Sequence, residues 1–283
     1  MYDFAARRGG DTQPHARPDR LPTPSWLFTA CEVGRFSMEL PASLLVDAVV
    51  PAPDQGRGRP VLVLPGFSSP DSATRRGRTH LERLGYRAHG WGLGRNHGLI
   101  DPIIDGVLAR FDDLHQRYDE PVSVVGWSFG GLLARWVAHQ RPDAVRQVVC
   151  LGSPYRPEGE HTRTTPFFER SARTHGLSDR AFDVVDTLRQ PLSVPVSAIY
   201  SRTDGIVNWR ACALTEAELA AGPSDNISVP SSHVGLLTNP LSLAALADRL
   251  AQDPAHWQPF DWGTCLQHAF LGRRSSPVEA AVA

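Results

Sequence analysis

From residue 60 onward, short apolar runs alternate with segments whose apolar residues recur every three or four positions. The runs cover Pro60–Leu64, Tyr86–Trp91, Val122–Gly126, Val145–Leu151, Val196–Tyr200 and Asn226–Val229. Each is four to seven residues long and is not strictly alternating, the pattern of strands covered on both faces, and the interleaved helical segments supply the cover. The expected fold class is therefore α/β, with a doubly wound, mostly parallel sheet of about six strands. Asp101-Pro102 opens one helix as a cap and first-turn pair, followed by Ile103, Ile104, Val107, Leu108, Phe111 and Leu114 on one face. Asn239-Pro240 repeats the device before Leu243, Leu246, Ala247 and Leu250. Between Ser153 and Pro195 the rhythm lapses, with Pro154, Pro157 and Pro166 in a stretch too long for a plain crossover. A helical cap or lid insertion over residues 154–194 is expected there. Its Phe167, Phe168, Val184, Val185 and Leu188 would line an acyl pocket or pack the insert on the core.

Before the alternation begins the pattern differs. Residues 1–23 are polar and rich in Pro and Gly, and read as a flexible N-terminal segment. The stretch from Trp26 to Val50 is apolar but interrupted by Glu32, Arg35, Glu39 and Asp47, which would cost a few kcal/mol each in a membrane span. Residues 24–55 are expected to form two short helices broken at Pro41. They would cover the domain with their apolar stripes or, as the less common use of such stripes, make a peripheral membrane contact. The main domain is read as residues 56–272, with Trp257, Phe260 and Trp262 docking on it, and residues 273–283 as a disordered tail.

Composition narrows the function little. The chain has 283 residues, 41% hydrophobic, and its 29 basic and 30 acidic side chains nearly cancel, so no long-range field favours nucleic acid or an anionic bilayer. Cys31, Cys150, Cys212 and Cys265 show no metal-binding spacing; a Cys212–Cys265 disulfide is the disfavoured alternative to free thiols. The first twenty residues lack the apolar core of a secretory signal, and the protein is read as cytoplasmic.

The chemistry sits at strand ends. Gly126-Trp127-Ser128-Phe129-Gly130 follows an apolar run and leads into Leu132, Leu133, Trp136 and Val137, placing Ser128 on a strand-to-helix turn. Glycines two residues to either side admit a tight turn, and the helix N-terminus favours developing negative charge. A serine needs a base in hydrogen-bond reach. His233 follows the last run and Asp204 the one before it, both at carboxyl ends where open α/β sheets place their sites. Asp225 is the fallback acid. The oxyanion donors expected are the amides of Phe129 and, in the loop after the first run, Phe67 behind Gly66.

These segments, VLVLPGF (61–67), GWSFGG (126–131), YSRTDGIV (200–207) and SSHVGL (231–236), occur in an order that resembles the lipase and esterase branch of the α/β-hydrolase family. The resemblance spans roughly residues 60–250. It implies a Ser-His-Asp triad of Ser128, His233 and Asp204, no metal and no organic cofactor, and a small acyl ester or thioester as substrate. Many lipases have His where this chain has Trp127 and Pro65; Trp127 is also found in esterases of acyl-carrier substrates. Trp127, Asn96, His97, Phe167 and Phe168 are the expected substrate-binding residues. Hydrolysis of carboxylic esters is the expected function, with acyl transfer, thioester cleavage and a non-catalytic binding role as alternatives.

Overall fold

The computed structural model describes residues 21–50, 55–155 and 173–271. Six strands form one sheet, β1 (Pro60–Leu64), β2 (Arg87–Gly90), β3 (Val122–Trp127), β4 (Val145–Leu151), β5 (Val196–Tyr200) and β6 (Ser224–Ser228), all parallel and in the order β2-β1-β3-β4-β5-β6. The α/β expectation holds. Alternate residues of each strand face opposite sides, so two apolar cores sit on the two faces. One joins Leu62, Val124, Val148 and Cys150 to α3 (Asp101–Tyr118), α4 (Phe129–Gln140) and α5 (Ala181–Leu188). The other joins Val61, Val125, Val149 and Ile199 to α2 (Arg75–Arg83) and to a later helix, Pro240–Ala251. Two short helices, α6 (Trp209–Cys212) and α7 (Glu216–Ala221), lie between β5 and β6, which makes Pro240–Ala251 α8 and the closing Trp262–Leu271 α9.

The edges depart from expectation. β6 starts at Ser224, two residues early, because it is a half-covered edge strand whose polar residues conceal it. Asp225 thus lies within β6, where its carboxylate accepts from Arg249 Nη1 at 2.6 Å and from the Phe260 amide at 2.9 Å. It is committed there and is no candidate acid. α3 begins at Asp101 itself, with Ile100 at the cap position; the Asp101 carboxylate instead accepts from Ser178 Oγ at 2.5 Å. Asn239 does cap α8, accepting from the amides of Leu241 and Ser242. Phe260 and Trp262 pack on the second core and Trp257 lies under Arg249.

The N-terminal region is one helix, α1 (Trp26–Val49), with Pro41 inside it. An interior proline costs about 3 kcal/mol, but anchors on either side keep the helix continuous. Glu39 is bonded to Ser232, Ser43 accepts from Arg76, and Asp47 is paired with Arg76, His80 and Arg83. The orientation of α1 also corrects the expectation. Its charged face turns inward and its apolar face outward, with Trp26, Leu27, Val33, Met38, Leu44, Leu45 and Val49 all exposed. No helix is long and apolar enough to cross a membrane among the described residues.

In the insert, Val184, Val185 and Leu188 are buried in the first core and pack the insert on α4. Phe167 and Phe168 lie outside the described residues.

Candidate active site

β3 ends at Trp127 and α4 starts at Phe129, which leaves a single residue, Ser128, to reverse the chain. It does so at φ 54°, ψ −126°, a backbone conformation that side chains other than glycine avoid. The flanking sequence permits the reversal. A β-carbon on Gly126 would lie 2.3 Å from the Gly130 carbonyl oxygen, and one on Gly130 2.3 Å from that of Leu64. The Ser128 amide donates to Leu151 O on β4, which fixes the turn to the sheet. Ser128 is partly exposed at the carboxyl edge, beside the first turn of α4.

Loops after β5 and β6 bring two further groups to it. Ser128 Oγ lies 2.9 Å from His233 Nε2, and His233 Nδ1 lies 2.6 Å from Asp204 Oδ2. His233 and Asp204 are buried. Asp204 Oδ1 accepts from the amides of Ile206 and Val207, both at 2.8 Å, so the loop is wound around this carboxylate and Oδ2 is left for the imidazole. A proton on Nδ1 donated to Asp204 leaves Nε2 free to accept from the serine hydroxyl.

The loop after β1 closes over the same point. A β-carbon on Gly66 would meet Ser128 Cβ at 3.1 Å and the Trp127 ring at 3.2 Å, so glycine lets this backbone pass beside the serine. Phe67 follows, its ring 6.0 Å from that of Phe129. The two residues expected to offer oxyanion amides therefore come to Ser128 from the loop after β1 and from the start of α4.

Two of the expected substrate contacts serve other purposes. Asn96 is fully buried; its Nδ2 donates to Pro65 O at 2.8 Å, its Oδ1 accepts from the Gly98 amide at 3.0 Å, and its backbone is bonded to Ser68 and Ser69. It braces the Gly66–Phe67 loop. Trp127 is buried on the second core and donates from Nε1 to His233 O at 3.0 Å, so it holds the histidine loop. Both were misplaced for one reason: a polar or aromatic residue beside a site can as well support its backbone as face its ligand. His97 remains partly exposed, its ring centroid 4.1 Å from that of His175 in the insert. Burial, then the charges of His175 and Arg95, hold its pKa below the usual histidine value.

The sequence reading missed α1's part in the site. Glu32 is buried, and its carboxylate accepts from the Gly205 amide at 2.9 Å, the His233 amide at 2.9 Å and the Val234 amide at 3.3 Å. One side chain thus joins the Asp204 loop to the His233 loop. Around it, Thr29 Oγ1 donates to Gly205 O, Arg35 to Thr203 O and Oγ1, and Glu39 accepts from the amide and hydroxyl of Ser232. A signal was present. Glu32, Arg35 and Glu39 fall at i, i+3 and i+7, one face of a helix, where charges scattered by chance would not align.

Comparison with known proteins bears on the fold. Residues 92–175 match the family described as the alpha/beta hydrolase fold. Two pimeloyl-[acyl-carrier protein] methyl ester esterases, from two strains of Neisseria meningitidis serogroup B, are 28% identical over 95 aligned residues, 25% of this chain and 36% of theirs. The match thus spans about a third of those relatives' length. Among solved structures, lipase B of Aspergillus fumigatus superposes with a TM-score of 0.57 at 20% identity, over 82% of this chain and 62% of that one. A monoacylglycerol lipase of Paleococcus ferrophilus gives 0.49 at 15% identity, over 69% and 96%. With six parallel strands in the order found, a serine alone between β3 and α4, the family match over residues 92–175 and the likeness to the Aspergillus fumigatus lipase, the chain is an α/β-hydrolase-fold protein similar to esterases and lipases.

Proposed function

We propose that the protein is a serine hydrolase of carboxylic esters. The observation that carries this reading is the unbroken hydrogen-bond chain from Ser128 Oγ through His233 to Asp204 Oδ2, with the serine partly exposed and the other two buried. Ser128 Oγ attacks the ester carbonyl carbon while its proton passes to His233 Nε2. Asp204 orients the ring and stabilises the imidazolium. The carbonyl oxygen, now negative, lies toward the amides of Phe67 and Phe129. The intermediate collapses as His233 returns the proton to the leaving alcohol, which leaves an acyl group on Ser128. Water, deprotonated by the same histidine, releases the acid.

The named esterase relatives act on an ester carried by an acyl-carrier protein, and the same chain of groups would cleave a thioester with only the leaving group changed. Acyl thioesters therefore belong in the substrate panel beside p-nitrophenyl esters of increasing chain length. The deciding test is a fluorophosphonate probe. It should label the wild type and not Ser128→Ala, with ester hydrolysis lost in parallel. Equal labelling of both proteins, or of neither, would overturn the assignment.

A further inference from the structure

We propose that the outer face of α1 docks on an anionic lipid surface. The helix is amphipathic in the reverse of the usual sense. All four of its charged residues, Glu32, Arg35, Glu39 and Asp47, are bonded to loops or to α2 on the inner side. The outer side carries no charge, and its hydroxyl, Ser37, donates back to Val33 O at 2.8 Å. Trp26, Leu27, Val33, Met38, Leu45 and Val49 stand there 53–76% exposed, along 24 residues or about 36 Å of helix. Surface apolar residues usually occur singly; a continuous stripe of this length is a binding face. A helix lying in a bilayer interface has this form, apolar over one long arc and without a charge in it.

The rims of the stripe favour lipid over protein. Toward its N-terminus, α1 is bonded to the 203–205 loop, and next to that loop exposed Arg202 and Arg210 both lie over the Trp209 ring. Toward its C-terminus it is paired through Asp47 with Arg76 and Arg83 of α2, where Arg78 is paired with Asp71 and Arg75 and Arg83 stand exposed. Every basic side chain of the protein is arginine, which binds phosphate oxygens in bidentate fashion. A second copy fits poorly: with arginine at both ends of the stripe, parallel and antiparallel pairings alike set arginine against arginine. The chain's own termini fit no better. Residues 1–20 and 272–283 bring Arg7, Arg8, Arg17, Arg20, Arg273 and Arg274 and no run of large apolar side chains. Docked in this way, α1 sets the carboxyl edge of the sheet, with Ser128, beside the lipid.

The face is read by binding alone, so its test is independent of whether the protein hydrolyses esters. Cys31 lies on the stripe and is the exposed cysteine, the other three being buried. An environment-sensitive fluorophore on Cys31 of the full chain should brighten and shift to the blue with phosphatidylglycerol-containing vesicles, and far less with phosphatidylcholine alone. Unlabelled Val33→Glu, Met38→Glu and Leu45→Glu combined should weaken co-flotation with the anionic vesicles roughly tenfold or more, with the circular dichroism of the wild type. No binding to either vesicle, equal binding to both, or equal flotation of the triple variant would overturn the proposal. So would a lipid-free wild-type dimer in sedimentation that the triple variant converts to monomer, since the face would then be covered by a second copy. A fluorophore already blue-shifted without vesicles, and red-shifted on removing either terminus, would assign the face to the chain itself.

Discussion

At the scale of the residue, the site is built of side chains whose hydrogen bonds are nearly all fixed in advance. Asp204 has one oxygen on its own loop and one on His233; His233 is gripped by its amide, its carbonyl and both ring nitrogens. Glu32 is the member whose loss would tell most, because it touches neither Ser128 nor the imidazole ring yet holds the loops of both Asp204 and His233. Replacing it by glutamine keeps the shape but leaves one acceptor oxygen for three amides and turns an NH2 group toward N–H donors. The expected result for Glu32→Gln is a fall in kcat of about tenfold with KM little changed, because a small misplacement of a base costs rate rather than binding. Steady-state kinetics on a soluble p-nitrophenyl ester read both constants; an unchanged kcat would show that the loops hold their register without it. That Ser128, His233 and Asp204 come together was legible in the sequence because motif, spacing and chain order converge on them. Glu32 was not, since a carboxylate that binds backbone amides has no partner side chain to betray it.

At the scale of the element, legibility followed burial. β1, β3, β4 and β5 are covered on both faces and stood out as apolar runs, with β3 only one residue longer than expected. The edge strand β6 carries Ser224, Asp225 and Asn226, and its start was hidden because a buried Asp225–Arg249 pair looks like loop chemistry to hydropathy. α1 was read with the wrong face inward for a related reason: hydropathy assigns the apolar stripe to the core, and here a set of hydrogen bonds and ion pairs reverses it. The closeness of this contact gives a prediction for the element as a whole. A β-carbon on Gly205 would fall 2.5 Å from the Phe28 carbonyl carbon and the Thr29 amide nitrogen, both backbone atoms of α1. Neither can swing away as a side chain would. Gly205→Ala should therefore push α1 from the Asp204 loop, lowering the thermal midpoint by several degrees and slowing fluorophosphonate labelling. Wild-type labelling in a variant of lowered midpoint would show that α1 stabilises the fold without shaping the site. By contrast, Cys150, buried in the first core with its thiol pushed up by burial to about 11, should resist maleimide at pH 8 while Cys31 reacts.

At the scale of the molecule, α1 stands apart from the rest. It contributes no residue to either apolar core and is bonded to the domain through its charged side chains, so it can loosen without the sheet giving way. Three carboxylates carry much of that attachment: Glu32 and Glu39 on the loops, and Asp47 on α2. Burial works against the charge of Asp47, but the hydrogen bond and charge of His80, with Arg76, outweigh it and hold the carboxyl below its ordinary value of about 3.8. A carboxylate whose pKa is depressed on folding adds stability that is present in full above its unfolded value and is lost as pH falls through the folded one. The C-terminal end of α1 should thus stay docked above the ordinary value and release as pH falls through the lower folded one, whereas the central strands β3 and β4, buried on both faces, persist. Hydrogen exchange followed by mass spectrometry, corrected for the intrinsic rate at each pH, would read the difference: residues 43–49 should lose protection as pH falls below the ordinary value of about 3.8 while β3 and β4 keep theirs. Simultaneous loss in helix and strands would mean that α1 unfolds with the sheet as one unit. Asp47→Asn, which removes the titrating group, should instead leave residues 43–49 poorly protected at neutral pH and insensitive to further acid.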